Sequence, residues 1–346
     1  MNEPTPDESS IRTVDLADLA HHDAAVRREA TDNILIGFGE NGVVFLANHG
    51  VDFALRDRVY RRFVELTDRA REEKEPLRRA DLWSQRGWTT GGEDDPEESY
   101  RACPSSTDRF CKIEYPEIFA DNVWPDGDED FARDYRALGQ QIHEAGLSLL
   151  QGVSMALGLP MRCFDPRVEG AAHVLRLVRD ESGGEEHTDF SLLTLRPGPL
   201  YLGPDGSPCD APDEAAGLYV RSHGGDPVQV RAPEGCIVAQ VGEPLEILTG
   251  GSVPATPHAV TAPTTDGSTR VSAAHGLQLH PYQLLFPFEA FRTDDTVRMY
   301  SPPVLAGTYR LKTLVDLGLA PESALARLGH RRSAGAAEDV GSADVG

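Results

Sequence analysis

The sequence predicts a mainly β protein with flanking helices, in which short strands build a sandwich or jelly-roll core. Three observations support this fold class. Helical periodicity prevails up to residue 160, a series of short β-branched runs separated by Gly and Pro follows, and helical periodicity returns near Tyr309. The chain has 346 residues, 40% of them hydrophobic, which is enough to bury a large core.

The N-terminal region, residues 13–160, is predicted to be helical and to contribute at least one strand to the core. Val14–Ala30 has the pattern of a short polar helix, and Ala54–Ala80 is amphipathic, with apolar residues at steps of three and four. Between them the run Gly42–Gly50 is β-branched and aromatic and ends in a turn signal, which predicts a buried strand. A further helical stripe predicts a long core helix that ends at Gly158–Pro160.

Two stretches have no regular periodicity. Asp81–Asp128 is rich in Gly, Pro, acidic and aromatic residues, and Arg196–Ala216 is rich in Pro and Asp. Long loops inside compact proteins are usually functional or disordered, and the aromatic residues of the first stretch argue against disorder. We expect the first stretch to be ordered and the second to shape an entrance to a site.

The β-rich core is predicted over residues 161–308, a single C-terminal helix over 309–331, and flexible polar tails at 1–12 and 332–346. The predicted core strands are the runs Val174–Val178, Leu192–Leu195, Gly217–Val220, Val228–Val230, Cys236–Val241, Ala259–Thr261 and Arg270–Leu279. Short strands punctuated by Gly and Pro are typical of sandwiches and jelly rolls.

Composition and charge exclude several function classes. The net charge of −23 repels phosphate backbones, so nucleic acid is not expected as a partner. No run approaches the roughly 20 apolar residues that a membrane span needs, and the acidic N-terminus is unlike a secretory signal. We therefore expect a cytoplasmic protein with no membrane partner. Five cysteines without a Cys-x-x-Cys pair suggest neither a disulfide framework nor a thiolate zinc site, and the sequence leaves the oligomeric state undetermined.

One short motif combines potential metal ligands. His187 and Asp189 lie two residues apart, and in an extended segment such residues point to the same side. His258, which precedes a β run, could complete the set from a neighbouring strand. Two imidazoles and one carboxylate with open coordination positions are typical of non-haem Fe(II) oxygenases.

A second motif predicts an anion-binding pair. Arg270 and Ser272 also lie two residues apart, in a β-rich run. A guanidinium and a hydroxyl that point into a β core are costly to bury unless an anionic group meets them. We interpret the pair as a clamp for a carboxylate; the alternative is a surface Arg with an incidental Ser.

Six segments occur in the order and spacing of a known family: Gly42–Gly50, His187–Thr194, Gly217–Val220, Ala239–Gly251, Ser252–Val260 and Arg270–Ser272. Through them most of the chain resembles the isopenicillin N synthase-like family of Fe(II)/2-oxoglutarate-dependent oxygenases. The resemblance implies a distorted double-stranded β-helix, a jelly-roll and cupin-like core, flanked by helices. It also implies Fe(II) as cofactor, 2-oxoglutarate as co-substrate and O₂.

The resemblance assigns roles to individual residues. His187, Asp189 and His258 would be the iron ligands and the catalytic centre. Arg270 and Ser272 would bind the distal carboxylate of 2-oxoglutarate. Arg86 and Trp88 lie where the family often carries a substrate-facing segment before the jelly roll. Together with four residues close to the core motifs they are the candidates for contact with a small-molecule substrate: Arg86, Trp88, His173, Arg176, Phe190 and His275.

The primary hypothesis is an Fe(II)/2-oxoglutarate dioxygenase that oxidises a C–H bond of a small molecule, such as an amino acid or a specialised metabolite, and releases succinate and CO₂. Hydroxylation is the default outcome, with desaturation or cyclisation as alternatives. Two other hypotheses remain open. One is an isopenicillin N synthase-like oxidase that needs no 2-oxoglutarate, and the other is a catalytically silent β-barrel that serves as a binding module.

Overall fold

The fold is seen in a computed structural model of the chain, which describes residues 11–91, 97–180, 182–211, 213–222, 225–261 and 267–328. The flexible tails predicted at 1–12 and 332–346 lie outside the described residues, except for Ile11 and Arg12. Ile11 is buried, and the carbonyl of Arg12 accepts a hydrogen bond from the Phe45 N–H at 2.9 Å. These two residues therefore belong to the folded core.

Helices occupy both ends and the middle of the described chain. In chain order they are α1 (Ala24–Asn41), α2 (Phe53–Thr67), α3 (Arg71–Lys74), α4 (Glu129–Ala156), α5 (Asp165–Val168), α6 (Glu243–Leu248), α7 (Asp294–Met299), α8 (Ala306–Asp316) and α9 (Ser323–Ala326). The three longest start at Asp23, Asp52 and Asp128. Each of these carboxylates accepts a backbone N–H of the first turn and so satisfies a donor that the helix leaves open.

The strands alternate with these helices. They are β1 (Thr13–Asp15), β2 (Val43–Ala47), β3 (Gly87–Thr90), β4 (Glu98–Ala102), β5 (Val174–Arg179), β6 (Leu193–Arg196), β7 (Leu200–Leu202), β8 (Pro208–Cys209), β9 (Gly217–Arg221), β10 (Pro227–Gln229), β11 (Ile237–Val241), β12 (His258–Thr261), β13 (Thr269–Leu277), β14 (Leu284–Leu285) and β15 (Val304–Leu305). Every predicted core run coincides with a strand, because each places apolar and β-branched residues between turn signals.

The strands pair into a large sheet and a small one. The large sheet has ten strands in the order β1-β2-β11-β6-β13-β5-β4-β3, with β7 attached to β13 and β8 to β7. The small sheet has the order β10-β9-β12, and β14 pairs with β15. β1 runs parallel to β2, and the other pairs are antiparallel. The protein is thus largely β sheet with helices around it.

Side chains along β13 alternate between the two faces of the large sheet, so one face packs against α4 and the other carries Arg270 and Ser272. Val271, Ala273 and His275 lie on one face and are buried. α4 packs on this face so closely that a Cβ added to Gly146 would lie 2.8 Å from the side chain of Leu277. Arg270 and Ser272 necessarily point to the opposite face, away from α4.

Four predictions about elements need correction. The helix predicted over Ala54–Ala80 ends at Thr67, and α3 follows it as a separate short helix. Val14–Ala30 is not one helix, because its first residues pair with β2 as strand β1 and α1 starts only after the Asp23 cap. Asp81–Asp128 contains the hairpin β3–β4, which extends the large sheet beyond β5. The single C-terminal helix at 309–331 is replaced by α8 and α9, because Gly318 adopts a left-handed φ of 70° and ends the first helix.

Within the described part of the chain, none of the helices combines the length and the apolar character that crossing a membrane requires.

Candidate metal centre

His187, Asp189 and His258 meet between the two sheets. One ligand atom from each of the three lies within 4.8 Å of the others, and Nε2 of His258 is 3.9 Å from Oδ1 of Asp189. The backbones of His187 and His258 exchange two N–H···O bonds of 3.0 and 2.9 Å, so the two residues face each other as a hydrogen-bonded pair. The start of β12 therefore brings His258 beside the segment that carries the other two residues.

Backbone carbonyls orient both imidazoles. Nδ1 of His187 lies 2.9 Å from the carbonyl oxygen of Glu185, and Nδ1 of His258 lies 3.0 Å from that of Thr256. A carbonyl can only accept, so these contacts favour the tautomer with the proton on Nδ1. The lone pair is then on Nε2 in both rings, which is the state that binds a metal.

The carboxylate of Asp189 is held in a similar way. Thr194 donates its hydroxyl to Oδ2 of Asp189 at 2.5 Å, and the hydroxyls of Ser191 and Thr194 lie 2.8 Å apart. Oδ1 remains on the side of His258. Thr194, on β6, is a functional residue that the sequence reasoning did not single out.

The pKa shifts of Asp189 and His258 favour the protonation states that bind a cation. Burial raises the pKa of Asp189, but the nearby charges of His258 and Arg196 and the Thr194 hydrogen bond outweigh it and hold the pKa below its ordinary value. Burial lowers the pKa of His258, against the opposing effect of Asp189. At neutral pH the site therefore presents a carboxylate and a neutral imidazole, the donor types that Fe(II) accepts.

Arg270 and Ser272 line a cavity of about 710 Å³ next to this centre. Nη1 of Arg270 lies 3.4 Å from Oγ of Ser272, and both side chains are buried. Leu218 of β9 and Val260 of β12 line the same cavity, which therefore separates the large sheet from the small one. The volume is ample for a small dicarboxylate.

Arg196 connects the cavity to the metal ligands. Its Nε donates to Oε1 of Gln240 at 2.6 Å, and its Nη2 lies 3.4 Å from Nε2 of His258. A metal ion on His258 would take the place of this long contact. Arg196 was not predicted as a site residue, although its position two residues after Thr194 in the same strand places both on one face.

None of the six proposed substrate contacts lines this cavity, and Arg86 is the clearest correction. Its guanidinium is fully buried and donates to the carbonyls of Gln85, Ile118 and Ala120 at 2.7, 2.7 and 3.1 Å. These bonds fasten the segment around residue 118 to β3. Trp88 is also buried in the main core, where its indole N–H is hydrogen-bonded to Glu98.

His173 and His275 belong to a buried histidine cluster on the α4 side of the large sheet. Nε2 of His173 lies 3.0 Å from the Val168 carbonyl, and its Nδ1 accepts the Gln278 N–H at 3.0 Å. His275 is fully buried, and its ring centroid lies 5.6 Å from that of His143 on α4. Both rings are part of the packing behind the sheet, so the prediction that they line the pocket is wrong.

Arg176 and Phe190 lie outside both the cavity of about 710 Å³ and the histidine cluster, and Phe190 lines a separate pocket together with Tyr115 and Phe119. Arg176 pairs with Ala274 across β5 and β13, which places its side chain on the face of Arg270 and Ser272. Arg176 also forms a salt bridge with Glu97. Phe190 follows Asp189 directly, and the guanidinium of Arg310 lies 5.8 Å from the centre of its ring.

Two further arginines lie near these residues and were not predicted. Arg101 pairs with Arg176 across β4 and β5, and burial together with the Arg176 charge lowers the pKa of Arg101 to about 9. Burial also lowers the pKa of Arg310, to about 10. Neither residue lies in a motif, so sequence alone gave no reason to select it.

Comparison with family models gives two matches. Residues 11–127 match the N-terminal region of a non-haem dioxygenase in morphine synthesis, and residues 209–278 match the 2OG-Fe(II) oxygenase superfamily. The second match contains His258, Arg270 and Ser272.

Curated relatives are distant. Leucoanthocyanidin dioxygenase 1 of Oryza sativa subsp. indica is 29% identical over 164 residues, which is 42% of this chain and 39% of that protein. The match thus spans about two fifths of that relative. The 2'-deoxymugineic-acid 2'-dioxygenase of Hordeum vulgare is 25% identical over 310 residues and covers 84% of this chain and 83% of its own.

Solved structures share the fold. A 2OG-Fe(II) oxygenase family protein from Caulobacter crescentus superimposes with a TM-score of 0.73 at 22% identity, and the match covers 89% of this chain and 99% of that protein. A Neurospora crassa protein solved in complex with alpha-KG has a TM-score of 0.73 at 19% identity, with 91% of this chain and 98% of that chain covered. The dioxygenase for auxin oxidation of rice has a TM-score of 0.63 at 20% identity, and covers 92% of this chain and 99% of its own.

Proposed function

The chain belongs to the isopenicillin N synthase-like superfamily of Fe(II)/2-oxoglutarate oxygenases, and from this premise we propose that it oxidises a C–H bond of a small molecule. Hydroxylation is the default outcome, with succinate and CO₂ as co-products. The observation that carries the proposal is the convergence of His187, Asp189 and His258 beside a cavity that Arg270 lines.

The residues present fit the implied groups. His187 and His258 would hold Fe(II) through Nε2, and Asp189 through Oδ1, because their other polar atoms are engaged by carbonyls and by Thr194. When bound, Fe(II) and 2-oxoglutarate together activate O₂ and supply the oxidising power for a C–H bond. This donor set leaves coordination positions for both co-substrates.

Arg270 and Ser272 would bind the distal carboxylate of 2-oxoglutarate. A guanidinium presents paired N–H donors that match a carboxylate, and the nearby hydroxyl adds one more donor. The pair lies on β13, which at this point is paired with β5 on one side and with β7 on the other, so its position is rigid. Such rigidity keeps the co-substrate in one orientation without a cost at the moment of reaction.

The sheets around the site support a distorted double-stranded β-helix. The order β11-β6-β13-β5 would form one face, and β10-β9-β12 together with the His187 segment would form the other. The cavity then lies inside the barrel, where the walls exclude water. In this proposal residues 161–308 are the catalytic core, and residues 13–160 are a helical region that adds strands β1–β4 to the large sheet.

Arg176 and Phe190 are the proposed substrate contacts. Phe190 follows the ligand Asp189 directly, and Arg176 lies on the same face of the large sheet as Arg270 and Ser272. The positive charge of Arg176 and of Arg101 beside it exceeds the charge that Glu97 contributes. This arrangement favours a substrate with an anionic group.

The test is formation of succinate from 2-oxoglutarate by the full-length protein supplied with Fe(II) and O₂. A panel of amino acids and small acids is screened for stimulation. Wild-type protein is expected to form succinate, whereas Asp189→Ala is expected to form none because a ligand is lost. The exposed Asp205 provides the matched control, Asp205→Ala. Substrate oxidation without consumption of 2-oxoglutarate would instead support the oxidase hypothesis, and an inactive, iron-free wild-type protein would support the binding module.

A further inference from the structure

A second cluster of metal-ligating side chains lies outside the site described above. It consists of Asp108, Cys111 and His280, and each offers one ligand atom within 4.8 Å of the others. Sγ of Cys111 lies 3.5 Å from Nε2 of His280, and Oδ2 of Asp108 lies 3.4 Å from the same nitrogen. Three different donor types therefore converge on one point.

These separations match the edges of a zinc tetrahedron. Zn²⁺ binds sulfur at about 2.3 Å and nitrogen or oxygen at about 2.0–2.2 Å. At tetrahedral angles such bonds place sulfur and nitrogen about 3.5 Å apart, and nitrogen and oxygen about 3.4 Å apart. Both distances to His280 agree with these values, and the ligand atoms of Asp108 and Cys111 lie within 4.8 Å of each other.

The backbone already holds the three ligands in place. The Asp108 N–H donates to the Gly170 carbonyl at 2.8 Å, and the His280 N–H donates to the Arg167 carbonyl at 2.7 Å. Cys111 lies one turn after Asp108, whose carbonyl accepts its N–H at 3.2 Å. Two ligand-bearing segments far apart in sequence are thus both joined to residues 167–170 by main-chain hydrogen bonds.

An access route reaches the cluster. A cavity of about 440 Å³ is lined by Asp108 and His280 and also by Glu169 and Gln283. It offers room for a water or for the Glu169 carboxylate as a fourth ligand. Cys111 itself is fully buried, which argues against the alternative that the three residues form a nucleophilic Cys-His-Asp set, since a substrate could not reach the sulfur.

We propose that Asp108, Cys111 and His280 form a structural zinc site, completed by water or Glu169. It goes beyond the proposed oxygenase activity and does not depend on it. The ion would join the Arg109–Lys112 turn to the segment that follows β13. That turn leads into Tyr115 and Phe119, which pack in one cluster with Phe190, so the ion would stabilise the segment that packs against Phe190.

The sequence analysis found no thiolate zinc site because it relied on spacing between cysteines. Here a single cysteine contributes, and His280 is 169 residues away from it in the chain. The signal exists only in the folded structure.

The test uses Co²⁺ as a spectroscopic probe for zinc. The full-length His187→Ala protein, stripped with a chelator, is titrated with Co²⁺ so that the candidate catalytic centre does not interfere. We expect one equivalent to bind with intense tetrahedral d–d bands and a near-ultraviolet thiolate-to-cobalt band. Zn²⁺ should displace the ion and abolish both signals.

Variants identify the ligands. Cys111→Ser and Asp108→Asn in the same background should weaken Co²⁺ binding by more than about tenfold, the lower end of what changes around a metal site cost. Cys209→Ser removes an exposed cysteine and should leave the titration unchanged. Circular dichroism of each variant checks that it is folded.

Two outcomes would overturn the proposal. One is that the folded His187→Ala protein shows no thiolate-to-cobalt band at all. The other is that this band persists in Cys111→Ser, since the sulfur would then come from another cysteine. The first outcome is measured without altering the cluster, so a misfolded variant cannot mask it.

Discussion

The hydroxyl of Thr194 fixes the second carboxylate oxygen of Asp189. It is buried, and its 2.5 Å hydrogen bond leaves Oδ1 to face His258. Thr194→Val keeps the shape but removes this donor. We expect the affinity for Fe(II) to fall about 10–100-fold, the usual cost of losing a partner that orients a metal ligand. Anaerobic Fe(II) titration with a chelator competitor measures this change.

The control for that experiment is Thr31→Val. Thr31 lies on α1, and its hydroxyl donates to the Arg28 carbonyl at 2.8 Å, in a part of the protein remote from the site. Its Fe(II) affinity should equal that of the wild type. If Thr194→Val also binds iron as the wild type does, the hydrogen bond does not orient Asp189.

The residues that lie in motifs could be selected from the sequence. The substrate contacts could not, because they depend on the direction in which each side chain points. The structure brings His187, Asp189 and His258 together, and it places Arg270 and Ser272 in the adjacent cavity. Arg86 and Trp88 were chosen for their place in the family pattern, but both side chains are buried within the protein instead of lining the cavity. Arg86 can be buried because its guanidinium donates a hydrogen bond to the Ile118 carbonyl, which belongs to another segment. No local sequence pattern reveals such a partner.

At the scale of elements, Gly242 sets the distance between β11 and the ligand-bearing segment. A Cβ at this position would lie 1.8 Å from the Ser191 carbonyl oxygen and 2.8 Å from that of Asp189. Gly242→Ala must therefore displace the backbone of Asp189. We expect loss of most Fe(II) binding and a lower free energy of unfolding, measured by titration and by urea denaturation.

Gly39→Ala is the matched control. Gly39 lies inside α1, and nothing lies within 4 Å of an added Cβ. Because Ala loses less backbone entropy than Gly in a helix, this variant should gain about 0.5–1 kcal/mol of stability. Unchanged iron binding in Gly242→Ala would show that the close approach of β11 does not position the site.

The strands of the core could be predicted because each carries its own local pattern of apolar and turn-forming residues. β7 and β8 could not, since they lie in the Pro-rich Arg196–Ala216 stretch and exist through pairing with β13 and with each other. The hairpin β3–β4 likewise depends on pairing with β5. Pairing between distant segments has no local signature, which is why these strands are missing from the sequence analysis.

At the scale of the whole molecule, a cluster of buried histidines links stability to pH. Burial, reinforced by a neighbouring His143 charge, lowers the pKa of His173 to about 3, and the same causes lower the pKa of His275 well below its usual value. Burial also lowers the pKa of His143. Near pH 6 these rings are therefore neutral in the folded protein and partly protonated in the unfolded chain.

The sign of the pH effect follows from this difference. Stability is unaffected by these groups above the unfolded pKa of about 6.5 and falls as the pH drops below it, because the unfolded state then binds more protons. Each additional proton that the unfolded chain binds lowers the free energy of unfolding by up to about 1.4 kcal/mol per pH unit. Urea unfolding at pH 7.5 and pH 5.5 should show a lower free energy of unfolding at pH 5.5.

Two variants assign this effect to the cluster. His143→Leu removes a titrating ring and should reduce the difference between the two pH values. His22→Gln changes an exposed histidine and should leave the difference as in the wild type. Equal pH dependence in all three proteins would mean that the buried histidines do not control acid stability.

The measurement that tests the central claim most directly is an anaerobic titration of the Fe(II)-loaded protein with 2-oxoglutarate, followed by the visible metal-to-ligand charge-transfer absorption. We predict that the band appears in the wild type and in Arg231→Lys, a control at the edge of the same cavity. Arg270→Lys should need at least about tenfold more 2-oxoglutarate, because Lys cannot offer the paired donors of a guanidinium. Absence of the band in wild-type protein that has bound iron would contradict the account.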